Sequence, residues 1–536
     1  MNKLKIKNIM FLGLLISLIS SCSLDSSESE TSDIETLGSS SSYSSSSEDV
    51  ILSDALYEEF WNPASNIEVK LDFYNDSLIY LDNYGGTDPN TAKADIYFPA
   101  DLTLTLNNKT YFYKEVGVRK KGNTSRSMIF DNGKYNGGTL HYKIDFHETF
   151  SDASIYKGEI AKFYHDWTGD VGGYKIRDDR LFAGMEKIDL KYNRIGDPTF
   201  LREVYARHLF RSSGIISPNG TLGKTVVVHN GTQVVCNQNY QFLEVIDKKL
   251  LRHFLTKEES QGDLYKLGWG SLGDGTWEGA NFAEKGAVVQ DNNGNYVAGY
   301  TIGVEDKFNN EYFIYDLKTN KKTTSNSSLV NFIHILNKKY SDYGNSTDYY
   351  ADLEGILDLE YFAKYEAICF FLGNPDDVRN NHNNAYIYFN PVNNLAYFIP
   401  YDFDQCLGFL PRGDDLTTYW PTTTKYQGYY RYNNAEIMDM ALYYKTILID
   451  SNDNDDIRTY SSQWPSSSVS KSFYKETLYS FKTDERFTSS YFNNFLKQFV
   501  YASSYSDKQQ GSFIKLSTWI EKKLSSIDSD ERLSTY

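Results

Sequence analysis

The chain has 536 residues, 40% of them hydrophobic and 23% charged, enough apolar side chain to bury one large or two ordinary cores. A mean hydropathy of −0.52 excludes a polytopic membrane protein. The 54 basic against 71 acidic residues, a net charge of −17, exclude a general electrostatic attraction to nucleic acid or anionic lipid. With 45 Tyr, 32 Phe and only 11 Pro, a disordered or fibrous class is excluded for most of the length.

Residues 1–21 carry Lys3, Lys5 and Lys7 ahead of a short apolar core, the pattern of a secretory leader. Ile19-Ser20-Ser21-Cys22 is similar to a bacterial lipobox, so Cys22 is the expected lipidation site and a lipid-anchored, extracytoplasmic protein the expected product. Soluble secretion after cleavage near Ser21 is the alternative. Residues 22–50 are Ser-rich and acidic, with no Lys or Arg after Cys22, and read as a solvated tether spanning roughly 30 Å.

From residue 51 to 247 strand signals dominate. Ile67–Phe73 and Leu102–Leu106 alternate, Asn107-Asn108 leads into Thr110–Val118, and Tyr142–Phe146 follows. Asp197-Pro198 predicts a helix start, with Phe200, Leu201, Val204 and Leu209 on one face and Gly214 as its stop. Asn230-Gly231 predicts a hairpin, and Tyr240–Ile246 another strand. From 248 to 536 helices take over, notably Lys248–Leu255, Ser328–Lys338, Leu359–Leu372 and Phe513–Leu524. A polar stretch rich in Tyr and Thr interrupts them at Gly413–Asn434. A β-rich half followed by a helical half predicts an α+β fold with two lobes.

Two acidic clusters flank one predicted hairpin. Gly373-Asn374-Pro375-Asp376-Asp377 runs through an Asn-rich loop to Asn384, Ala385–Phe389 and Leu395–Ile399 form the hairpin, and Pro400-Tyr401-Asp402-Phe403-Asp404 follows. A hairpin brings its ends together, so Asp376, Asn384, Asp402 and Asp404 should converge as hard-oxygen ligands suited to Mg²⁺ or Mn²⁺. Asx-rich turns that merely cap a hairpin are the plain alternative. In the first half, Arg119-Lys120-Lys121-Gly122-Asn123 is a basic turn in an acidic protein, suited to phosphate oxygens. Lys143, on a strand between core residues, needs a partner, and Glu203 on the next helix is the expected one. The plain readings are a solvated loop and a snorkelling edge lysine.

Taken together, Arg119–Ser125, Asp197–Glu203, Tyr240–Asp247, Leu264-Tyr265-Lys266, Gly373–Asp376 and Ile399–Asp404 resemble the ordered blocks of the spore-coat-H (CotH) family of secreted atypical protein kinases. The resemblance implies a two-lobed protein-kinase-like fold, with a β-rich N-lobe, a mainly helical C-lobe and ATP between them. It implies Asp376 as the catalytic-loop acid and Asp402 as the metal-binding Asp. Asn384 and Asp404 would join as further ligands, with Asn381 competing for Asn384's place and Asp377 for that of Asp376. Lys143 would hold the α/β phosphates with Glu203 behind it, while Arg119, Asn123 and Glu244 would lie on the nucleotide side.

The expected activity is metal-dependent transfer of the ATP γ-phosphoryl to Ser or Thr of a secreted or surface protein. A catalytically silent binding or adhesion module, using the aromatic loop Tyr419–Tyr432, and a nucleotidyl transferase on the same site are the alternatives. The sequence contains no G-x-S-x-G or H-E-x-x-H motif that would favour other chemistry.

Overall fold

A computed structural model describes residues 34–35, 54–74, 76–84, 96–122, 127–165, 180–271, 277–284, 286–303, 313–338, 351–378, 383–409 and 468–529. The leader, Cys22, Asn123, Asn381 and the stretch 413–434 with its loop 419–432 lie outside the described residues.

Helix and strand are mixed, as an α+β class requires. Helix α1 (Asp54–Trp61) and helix α2 (Ser77–Tyr84) accompany seven strands: β1 (Ile67–Phe73), β2 (Phe98–Leu106), β3 (Lys109–Lys120), β4 (Tyr142–Asp145), β5 (Lys187–Lys191), β6 (Gly220–His229) and β7 (Gln233–Glu244). Their order is β3-β2-β1-β6-β7-β5-β4, and β4 pairs with β3 as well, so the sheet closes into a seven-stranded barrel. A β-rich lobe was expected, but the closure was not. It depends on β4, a four-residue strand paired on both edges, and on register shifts at Ala100/Leu102 and Val234/Cys236 that help long strands curve. All barrel pairings are antiparallel except β1 with β6. Ile34–Glu35, within the predicted tether, pairs in parallel with Thr110 and Tyr111 of β3.

Period-2 alternation decides what faces inward. Val116, Val118, Tyr142, Ile144, Ile188, Leu190, Tyr240 and Phe242 fill one apolar cluster inside the barrel. Their neighbours Arg119, Lys121, Lys143, Asp189 and Lys191 are thereby forced onto the outer face of three adjacent strands. Lys120 lies in the inward row and is matched there by the buried Asp82 of α2 at 2.6 Å, whose carboxylate also accepts from the backbone N–H groups of Ile129 and Phe130.

Helix α3 (Arg202–Ser212) follows β5 in the chain, yet its Val204, Tyr205, Leu209 and Phe210 pack into a second cluster with the C-terminal elements. Those elements, which follow α4 (Lys248–Arg252) with its Leu250 and Leu251 in a separate cluster, are α5 (Ser327–Asn337), α6 (Leu359–Leu372), α7 (Ser468–Ser480), α8 (Ser489–Lys497), α9 (Leu516–Ser529) and a five-stranded sheet. That sheet comprises β8 (Asp263–Leu267), β9 (Ile302–Gly303), β10 (Tyr315–Leu317), β11 (Ala385–Phe389) and β12 (Ala396–Pro400), in the order β9-β10-β8-β11-β12. Among the described residues no helix is long and apolar enough to cross a membrane.

Candidate active site

The predicted hairpin is β11–β12, with Ala385 opposite Pro400 and the Tyr401 N–H donating to the Asn384 carbonyl at 3.2 Å. Asn384 and Asp402 stand at its two open ends, both left-handed, with φ of 55° and 56°. Asn tolerates that conformation by local hydrogen bonding, whereas for Asp402 it turns the chain sharply out of the strand. The preceding loop is stitched to the same place. Asn384 Nδ2 donates to the Asp376 carbonyl at 2.7 Å, and Asn374 Nδ2 donates to the Asp402 carbonyl at 3.4 Å. Asp376, Asn384 and Asp402 therefore meet, as the hairpin geometry requires. Of the two adjoining acids, Asp376 is half-buried and Asp377 is fully buried, so Asp376 is the one open to a ligand.

Lys191, at the end of β5, is the centre of the site. Its ammonium lies 2.7 Å from Glu203 Oε2, 2.5 Å from Asp402 Oδ1 and 3.0 Å from Asp404 Oδ2. Glu203 is buried on the first turn of α3, and its other oxygen accepts from Arg207 at 3.1 Å. The Lys191 side chain is 10% exposed, whereas Asp402 keeps 37% and Asp404 25% of theirs. Burial works against the charge on Lys191, but Asp402, Asp404 and Glu203 outweigh it and hold the ammonium well above its ordinary pKa. Burial, together with the Asp402 and Glu203 charges, pushes the Asp404 carboxyl up to about 7 despite Lys191. Three carboxylates crowd around one ammonium, a hard-oxygen set that, once Asp404 is ionised, carries one more negative charge than Lys191 and Arg207 together supply.

The expected Lys143–Glu203 pair does not form. The β4–β5 register sets Lys143 opposite Asp189, where its ammonium lies 3.4 Å from Asp189 Oδ1. Lys191, two residues beyond Asp189 on the same face, is the strand lysine that reaches α3. Asp189 is shared, since Lys121 also pairs with it at 2.7 Å. Burial would raise the Asp189 carboxyl, but Lys121 and Lys143 bring it down to about 2. Lys143 is lowered by burial and by Arg119 and Lys121 beside it.

Tyr401 separates this cationic group from the acidic one. Lys121 and Lys266 lie 5.4 and 4.7 Å from its ring centroid, and the Tyr386 ring meets it edge-on at 5.3 Å. Burial opposes ionisation of the Tyr401 phenol, yet Lys121 and Lys266 draw it below the ordinary tyrosine value.

Arg119 stands opposite Lys143 in the β3–β4 register, with its guanidinium 5.5 Å from the Tyr97 ring. Glu244 turns elsewhere. Its carboxylate accepts from Tyr57 Oη at 2.6 Å and from the Asn219 N–H at 2.8 Å, tying α1 to β7, and burial pushes it up to about 6. It lies three residues along β7 from Gln241, the residue opposite Lys191, and is not brought together with Lys191, Asp402 and Asp404.

Sequence reasoning missed Lys191 and Asp189, and took Lys266 only as part of the Leu264-Tyr265-Lys266 block, with no role of its own. Lys187-Ile188-Asp189-Leu190-Lys191 alternates charge and apolar side chain with strand period immediately before Asp197, a signal that was available. The predicted helix start also moves. Phe200 is left-handed with φ 54°, so α3 begins at Arg202, while the Asp197 carboxylate accepts from Thr199 N, Arg202 N and Arg202 Nε. Arg202, fully buried, also donates to the carbonyls of Leu407 and Ile514, clamping the turn after Asp404.

A strand lysine paired to a helix glutamate, facing acids that follow a hairpin, is the polar framework of a kinase-like transferase. Residues 171–452, more than half of the chain, match the family model described as CotH kinase protein, and the chain belongs to that family. The matched span contains Lys191, Glu203, Lys266, Asp376, Asn384, Asp402 and Asp404, whereas the Arg119–Lys121 turn and Lys143 precede it. No curated protein matches the chain.

Proposed function

We propose that this protein is an extracytoplasmic atypical kinase that transfers the ATP γ-phosphoryl to Ser or Thr of secreted or surface proteins. The carrying observation is the placement of Lys191 between Glu203 on one side and Asp402 and Asp404 on the other. The barrel half and the helical half would serve as the two lobes, with the nucleotide between them. Cys22 would anchor the chain to a membrane, with residues 22–50 as its tether.

The residues fit a phosphate and a divalent ion. Asp402, Asp404 and the Asn384 amide supply hard oxygens, and their excess negative charge is what Mg²⁺ or Mn²⁺ would neutralise. Among the described residues no three His, Cys, Asp or Glu side chains form a self-sufficient metal site, so phosphate oxygens and water would complete the coordination. The ion's chemistry would be to neutralise charge on the transferring group. Lys191, held rigidly by Glu203, would position the phosphates, taking the role expected of Lys143. Asp376 would orient the acceptor hydroxyl and receive its proton.

The test is incubation of the protein with ATP, Mg²⁺ or Mn²⁺ and a Ser/Thr-containing acceptor, read by mass spectrometry beside Asp376→Ala and Asp402→Ala. A gain of one phosphoryl group, lost in both variants, is the expected result. A gain of AMP would replace phosphorylation with nucleotidyl transfer, and no modification with no nucleotide binding would leave a binding module.

A further inference from the structure

The barrel closes on only part of β3. β2 pairs with β3 from Lys109 to Val118, but β4 lines the other side only from Gly117 to Lys120. Nearer the start of the strand that side is met piecemeal. The Arg180 guanidinium donates to the carbonyls of Lys114 at 2.6 Å and Glu115 at 3.3 Å, and Ile34–Glu35 runs parallel beside Thr110 and Tyr111. An open strand edge is a template for another strand, and folds keep such edges covered. Here part of the cover comes from the sequence ahead of the folded body.

Charge and reach both suit that occupant. Residues 23–49 hold seven acids and no Lys or Arg, and five of the seven fall between Asp25 and Glu35. Lys109 and Lys114, both exposed, bracket Thr110 and Tyr111 on β3, and Lys114 has only Asp101 at 4.0 Å as its ion-pair partner among the described residues. Residues 36–53 join Glu35 to α1, and Glu59 of α1 accepts from Asn107 Nδ2 at 2.7 Å, in the turn that leads into β3. The segment therefore starts close to where it docks. Attachment through so short a connection gives an effective concentration of order millimolar, so a ladder too short to join separate molecules can persist within one.

We propose that the Thr110–Tyr111 edge of β3 is a docking site for the acidic tether of the same chain, clipped there through Ile34–Glu35. With Cys22 as the anchor, a point that rests on the lipid-anchor reading above, the linker to the folded body shortens to residues 23–33. Its coil span falls to about 18 Å, and the anchor pulls on the β3 edge rather than on α1.

The test is residue-resolved hydrogen exchange of the full chain. At least one amide of Ile34–Glu35 is expected to exchange about tenfold below the intrinsic rate of an unstructured chain, at every protein concentration. Ile34→Pro together with Glu35→Pro should speed exchange across Thr110–Phe112 about tenfold. Tm and exchange at Ile144 should not move, because both substitutions lie outside the barrel. Lys109→Glu leaves the tether intact and should reduce its protection about twofold at low salt. Intrinsic exchange at both Ile34 and Glu35 in wild type, or exchange across Thr110–Phe112 that ignores the prolines, would overturn the proposal. Protection that fades on dilution would assign the edge to a second copy and overturn it too. None of these readouts needs ATP or lipid, so failure of the pairing leaves the kinase and anchor readings standing, while pairing in a chain that is never lipidated sinks the anchor reading alone.

Discussion

Lys191 Nζ and Asp402 Oδ1 are 2.5 Å apart across 211 residues of sequence, and this contact joins the outer face of the barrel to the hairpin of the second sheet. Burial alone would raise the Asp402 carboxyl, but Lys191 and Lys121 hold it below the ordinary carboxylate range. That shift favours the ionised form of Asp402, the form the proposed metal-ligand role would need.

The two adjacent acids should separate cleanly. Asp376 is half-buried at the mouth of the hairpin, so Asp376→Asn should lower turnover roughly 100- to 10,000-fold with Tm nearly unchanged. Asp377 is fully buried, so Asp377→Asn should lower Tm first. Steady-state rates beside thermal melts decide it, and a stable, inactive Asp377→Asn with an active Asp376→Asn would reverse the assignment.

Removing one acid should stabilise the metal-free protein. Glu203, Asp402 and Asp404 compete for Lys191, so Asp404→Asn relieves like-charge crowding and should gain on the order of 1 kcal/mol, about 1 °C for a chain of this size. The same change should blunt the rise in Tm on adding Mg²⁺ to the nucleotide-bound protein. Melts with and without Mg²⁺ and ATP check both halves.

Arg202 ties together three segments distant in the chain: Asp197, the Leu407 carbonyl and the Ile514 carbonyl. Arg202→Met leaves the Asp197 carboxylate buried without its cation and should cost about 3–5 kcal/mol in chemical denaturation. A loss under 1 kcal/mol would show that the clamp is dispensable.

His208 sets an acid-side weakness. Its ring packs on Phe495 at 4.9 Å, Nε2 meets Tyr491 Oη at 2.9 Å, and burial with nearby Arg486 lowers it to about 4. The unfolded chain binds that proton near pH 6.5, the folded one near 4, so stability should fall as pH drops through this window. His208→Gln should flatten the Tm-versus-pH curve between pH 6.5 and 4. A curve parallel to wild type would assign the acid sensitivity elsewhere.

The sequence made local signals legible and closure illegible. Helix Leu359–Leu372 falls where its apolar run ends in Gly373, and Asn230-Gly231 marks the β6–β7 turn, because each is dictated by residues within a few positions. The hairpin that gathers Asp376, Asn384 and Asp402 was readable for the same reason. Barrel closure is a long-range event: β4 must find both β3 and β5, and no local pattern in Tyr142–Asp145 specifies two partners. The choice between Lys143 and Lys191 hung on that register, since both are strand lysines with the same alternation. Asp197-Pro198 carried a convincing start signal, but the left-handed Phe200 postponed the helix to Arg202.

The central claim is that Lys191, not Lys143, is the lysine on which phosphoryl transfer depends. The direct measurement is the initial rate of phosphoryl transfer from labelled ATP with Mg²⁺ by wild type, Lys191→Met and Lys143→Met, each matched for folding by circular dichroism. The account predicts that Lys191→Met loses about 1,000-fold in kcat, and that Lys143→Met loses about tenfold, mainly in KM. Full turnover by a folded Lys191→Met, or a Lys143→Met variant equally inactive in kcat, would contradict it.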